Sequence, residues 1–110
     1  MATHSGVAQI AAAVPDRVRG LVETVVGEVR RRLGPCARIV WFGSWVRGGA
    51  RPGSDIDLAV DAPGGVDPDD YAALWSFVDE LPTLYTIDLV HLAEAGEELR
   101  REIERTGKEL

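Results

Sequence analysis

The chain has 110 residues, 45% of them hydrophobic and 27% charged, with a formal net charge of −6. This length carries one small domain with one core, and the acidic balance excludes a protein that holds nucleic acid through a broad basic surface. The lone cysteine, Cys36, excludes an internal disulfide, no run is long enough to span a membrane, and the N-terminus lacks a signal-peptide pattern, so a cytoplasmic location is expected.

Met1 to Ser5 read as a frayed terminus. The alanine-rich stretch Val7 to Val14 reads as a short helix ended by Pro15, so residues 1–14 form an extension on a single domain covering 1–110. From Pro15 to Leu33 the apolar residues Val18, Leu21, Val22, Val25, Val29 and Leu33 recur at helical spacing. Arg30, Arg31 and Arg32 crowd the last turn, where positive charge complements the helix dipole; a nucleic-acid patch is the alternative reading. Gly34-Pro35 stops the helix. Cys36 is expected to be a small buried residue ahead of the first strand, Arg38 to Phe42.

Gly43-Ser44 then breaks the apolar run. Glycine allows a sharp turn, and Ser44 is a good N-cap for a short helix through Trp45, Val46 and Arg47. Free N–H groups at such a turn suit phosphate, and Arg47 adds a charged contact. After a glycine-rich segment, Asp55-Ile56-Asp57-Leu58-Ala59-Val60 alternates polar and apolar and reads as a strand. Side chains at i and i+2 share a face about 7 Å apart, so Asp55 and Asp57 point one way and Ile56, Leu58 and Val60 the other. Two carboxylates aimed together repel unless a cation sits between them, and hard oxygen ligands suit Mg²⁺ or Mn²⁺. Alone, such a turn and acidic pair could be a capped helix and a solvated strand.

Ala62-Pro63-Gly64-Gly65 is a loop. Asp67 caps a helix in which Tyr71, Leu74, Trp75, Val78 and Leu81 run down one face; Trp75 is expected in the core rather than as a stacking platform. Pro82 ends it. Leu84 to Leu92 reads as a third strand. Asp88 is its anomaly, because a carboxylate within a buried strand is costly unless paired or metal-bound. His91, three residues on, should face the other side of the sheet. Glu97 to Thr106 is a helix with Leu99 and Ile103 inward and a mixed-charge outer face.

Gly43-Ser44, ten intervening residues and Asp55-Ile56-Asp57 resemble the signature of the polymerase-beta-type nucleotidyltransferase superfamily. The words FGSWVRG and GSDIDLAV resemble its smallest members, the minimal nucleotidyltransferases, and the likeness runs roughly from Arg17 onward. Trp45 departs from it, since many relatives carry a smaller or charged residue there. The resemblance implies an α/β (α+β) nucleotidyltransferase fold, a small mixed three-stranded sheet with about four helices and a site on an open sheet face. It implies that Asp88 joins Asp55 and Asp57 as the metal-binding and catalytic acids. Two Mg²⁺ ions, or Mn²⁺, would be held there, about 4 Å apart. Gly43, Ser44, Arg47 and Ser54 would bind the nucleotide phosphates. A hydroxyl would attack the α-phosphate of ATP, pyrophosphate would leave, and Asp88 would orient or deprotonate the hydroxyl.

The chain has no room for the extra domains with which polymerases and antibiotic-modifying relatives grip their acceptors. Minimal nucleotidyltransferases are commonly antitoxins that adenylylate a helical ribonuclease toxin of the HEPN type, and that is the leading expectation here, with a hetero-oligomer or homodimer open. The alternatives are modification of a small molecule, aminoglycoside-like, and a non-catalytic antitoxin that binds nucleotide and acts by contact. Loss of a signature residue would favour the last, yet Gly43, Ser44, Asp55, Asp57 and Asp88 are all present. No direct nucleic-acid binding is expected.

Overall fold

The computed structural model describes residues 14–110. The helix expected from Val7 lies outside the described residues; Val14, at its end, is buried against the core.

Helix α1 (Asp16–Leu33) follows Pro15, whose fixed φ suits a helix start. Its buried face is Val18, Val22, Val25, Val26 and Val29, and each fully buried valine is worth roughly 1.5–3 kcal/mol against exposure. The arginines of the last turn are tied down within the chain. Arg30 donates to the Leu110 carbonyl at 3.0 Å, and Arg31 and Arg32 both donate to Glu28. Those two arginines hold the Glu28 carboxyl below its ordinary pKa. The arginine triplet therefore serves the helix end.

Strand β1 (Arg38–Phe42), helix α2 (Ser44–Arg47) and strand β2 (Ile56–Asp61) follow, then helix α3 (Pro68–Asp79), strand β3 (Ile87–His91), a 3₁₀ turn at Leu92–Glu94, helix α4 (Glu97–Thr106) and strand β4 (Lys108–Glu109). The sheet order is β3-β2-β1-β4. β1 pairs antiparallel with β2 and β4, and β2 pairs parallel with β3. The short β1–β2 link forces a reversal, whereas α3 supplies the crossover that a parallel neighbour requires.

The sheet thus has four strands rather than three. β4 is two polar residues long and leaves no periodic trace in the sequence. It is placed by Gly107, where a Cβ would overlap the Val40 side chain and stand 2.6 Å from the Ile103 carbonyl. Arg38 then clasps Glu104 of α4 and Glu109 of β4.

The two sheet faces are unequal. Ile39, Trp41, Ile56, Leu58, Val60, Ile87 and Leu89 pack with α1 and α3 in the main core. On the other face Val40 and Ala59 meet Leu92 and Ile103 in a smaller cluster. Asp57 and Asp88 share that second face by strand alternation.

Several expectations fail locally. Cys36 is exposed, because it lies in the turn before β1. β3 begins at Ile87, and Leu84, in the preceding loop, is fully exposed. Leu99 is 40% exposed, so Ile103 alone of the pair is an inward anchor of α4. Trp75 is 39% exposed and not a core residue, since the part of α3 that meets the sheet is Leu74 and Val78.

Candidate active site at the Gly43 turn

Gly43 closes β1 with φ +89°, a conformation that side-chain-bearing residues rarely adopt. It, and not Ser44, is the N-cap of α2; Ser44 is the first helical residue. The Gly43 carbonyl accepts from the N–H groups of Val46 and Arg47 at 3.2 and 3.1 Å. Gly48, with φ +85°, ends the helix in the left-handed conformation.

The glycine is needed for a second reason. A Cβ at Gly43 would overlap Oδ2 of Asp57 and come within 3.1 Å of its Cγ. The turn therefore lies directly against the Asp57 carboxylate. In the strand register Asp57 stands opposite Phe42 on one side and Asp88 on the other.

Asp55 precedes β2 and is exposed, Asp57 is half-buried, and Asp88 is exposed as the second residue of edge strand β3. Asp88 is therefore not the buried carboxylate expected from the apolar run around it. Its strand starts late, and its face of the sheet is open there. Burial raises the Asp57 pKa above its ordinary value, and the charges of Asp88 and Asp55 raise it further; Arg47 opposes them. Asp57 thus lies in the field of both neighbouring acids and of one cation, Arg47.

Among the described residues no three His, Cys, Asp or Glu side chains are grouped tightly enough to cage a metal ion on their own. Mg²⁺ does not require such a cage. It is bound by one or two carboxylates together with substrate phosphates. A half-buried carboxylate burdened by two like charges fits that donor set.

Arg47 is 55% exposed and lies 3.5 Å from Glu102 of α4, a partner that no local motif announces. The Ser54 hydroxyl accepts the Arg51 N–H at 2.8 Å, so it shapes its own loop. Trp45 is the supporting residue that the sequence reading undervalued. It is buried, its Nε1 donates to the Ser54 carbonyl at 3.0 Å, and it meets Tyr85 edge-on. It thereby ties the loop leading into Asp55 to the helix after Gly43. His91 lies on the opposite face from Asp88, as expected, tilted against Tyr71.

Residues 33–110 match the family described as polymerase beta, nucleotidyltransferase. No curated protein is significantly similar in sequence. Among solved structures, a crystal structure of a toxin-antitoxin with AMP-PNP is 29% identical with a TM-score of 0.60, covering 79% of this chain and 70% of that one. A crystal structure of a mutant of the toxin-antitoxin MntA-HpeT is 25% identical with a TM-score of 0.60, covering 79% of this chain and 69% of that one. The mutations in that protein change two aspartates, separated by one residue, to glutamate.

Proposed function

The chain belongs to the polymerase beta nucleotidyltransferase family, and on that premise we propose that it moves AMP from ATP to a hydroxyl of a partner protein, as the antitoxin of a HEPN-type ribonuclease toxin. The observation that carries this reading is the meeting of three elements at one point. The Gly43 turn, Asp57 on β2 and Asp88 in register on β3 come together where the sheet face is open.

In the proposed reaction the acceptor oxygen bonds to the α-phosphorus, and the bond to the oxygen bridging the α- and β-phosphates breaks. Pyrophosphate leaves, and the acceptor proton passes to the Asp88 carboxylate. Ser44 and the backbone after Gly43 bind the departing phosphates. Arg47 offsets the charge that grows on them. Ser54 contributes by holding the loop that positions Asp55. A divalent ion such as Mg²⁺, held by Asp55, Asp57 and Asp88 with the triphosphate, would neutralise charge on the reacting phosphate.

The antitoxin role is supported by the likeness to two toxin-antitoxin structures, one of them with an ATP analogue. Among the described residues no helix is long and apolar enough to cross a membrane.

The test is to incubate the protein with labelled ATP, Mg²⁺ and the product of the adjacent gene, and to weigh both chains. AMP mass on the neighbour, lost with Asp57→Asn, is the expected result. A neighbour that stays unmodified yet is silenced equally by the Asp57→Asn variant would instead make this a binding antitoxin.

A further inference from the structure

Trp75 is out of place. A tryptophan is usually well buried, yet this one stands 39% exposed on the flank of α3. It lines two concavities beside the edge strand β3. One, of about 220 Å³, is lined by Trp75, Asp79, Tyr85, Thr86 and Asp88 among others. The other, of about 390 Å³, is lined by Tyr71, Trp75, His91 and Glu94 among others. The Nε2 atom of His91 is buried without a hydrogen-bond partner.

Three features define what fits. First, the smaller concavity shares Asp88 with the candidate active site. Second, its charge has one sign. Asp79 and Asp88 line one concavity and Glu94 the other, and no arginine or lysine lines either. Third, strand addition along β3 is obstructed, because the Tyr71 hydroxyl already donates to the Leu89 carbonyl at 2.9 Å. Side chains rather than the strand edge are what this surface offers a partner, and an exposed tryptophan is the residue type that anchors protein contacts.

We propose that this groove is the docking site for the acceptor segment of the partner protein, a segment that presents its hydroxyl to Asp88 and carries basic residues beside it. The inference rests on the transferase reading for the role of Asp88. It adds the place of acceptor entry, Trp75 as anchor, and a cationic flank as the recognition rule. RNA is disfavoured, since its phosphates would meet Asp79, Asp88 and Glu94.

The experiment measures binding apart from transfer. The full chain is titrated calorimetrically with short peptides holding one tyrosine between lysine and arginine residues, with the matching glutamate-flanked peptide, and with a single-stranded RNA oligonucleotide. ATP binding in Mg²⁺ is titrated separately. The basic peptide should bind saturably and the other two should not. Trp75→Ala and Asp79→Asn should each weaken it by about tenfold or more, with ATP affinity and melting temperature unchanged. Trp75→Phe should keep part of the affinity. No saturable binding of the basic peptide, binding indifferent to both variants, or preference for RNA overturns the proposal. Failure of ATP to bind while the basic peptide still does would overturn the transferase reading instead.

Discussion

The carboxylate of Asp57 fills the space where a side chain on Gly43 would begin. Strand β2 and the turn after β1 are built around that contact, so the glycine is both a hinge and a gap. Gly43→Ala faces two penalties together, an unfavourable φ of +89° and an overlap with Asp57. Strained positions cost on the order of 1–3 kcal/mol, and displacing Asp57 disturbs the reacting geometry. We expect a clear fall in melting temperature and near-complete loss of transfer. Normal transfer by a stably folded Gly43→Ala variant would show that Asp57 need not lie against the turn.

The pH dependence of stability follows from Asp57. Its pKa is raised by burial and by Asp88 and Asp55. An acid with a raised folded-state pKa holds its proton longer when folded, so stability falls as pH rises from the ordinary carboxylate range through the raised value. Asp57→Asn removes that loss. Without metal, the variant should melt at or above the wild-type temperature near neutral pH, and the difference should shrink on acidification. Mg²⁺ with ATP should raise the wild-type melting temperature and leave Asp57→Asn unmoved. A variant that is less stable than wild type at neutral pH would contradict the like-charge account.

Much of this geometry is legible in the sequence, because Gly43, Asp55 and Asp57 are close along the chain and the last of them lies in a strand. Asp57 and the apolar partners Ile56, Leu58 and Val60 fall where the period of two puts them, Asp55 lies just before the strand, and Gly43 turns the chain where the apolar run breaks. The errors share a physical origin. Trp75 fits the helical stripe of α3, but α3 covers an edge strand, and its outer flank extends past the sheet. Asp88 sits in an apolar run that is buried on one face only. Glu102 reaches Arg47 from 55 residues away, and β4 depends on Gly107 fitting against Val40. These are tertiary facts that local pattern does not carry.

Ser44 offers a clean separation of binding from folding. Gly43 is the cap of α2, so the Ser44 side chain is not the cap on which the helix depends. Ser44→Ala should then leave the melting temperature unchanged or slightly higher, since alanine is the better helix former. Triphosphate affinity should drop, as one hydroxyl donor to a charged phosphate is lost, an effect of about 1.5–3 kcal/mol. Calorimetric titration with a non-hydrolysable ATP analogue reads this directly. Unchanged affinity would move the phosphates away from the turn.

Arg47 is shared between two partners, and the sharing can be measured. Its guanidinium acts on Asp57 and lies 3.5 Å from Glu102, which also holds Arg105 at 2.7 Å. The pair is largely exposed, so it is worth about 0–1 kcal/mol to the fold. Neither Arg47→Ala nor Glu102→Gln should therefore change stability much. Their effects on triphosphate binding should differ in sign. Arg47→Ala removes a charge-assisted contact and should weaken binding by roughly tenfold to a hundredfold. Glu102→Gln releases Arg47 from a competing carboxylate, so binding should hold or tighten. In a double-mutant cycle the Glu102 effect should vanish once Arg47 is alanine, because the two residues act through one contact. If Glu102→Gln weakens binding as much as Arg47→Ala does, Glu102 orients Arg47 rather than competing for it, and the ion pair belongs to the working geometry of the site.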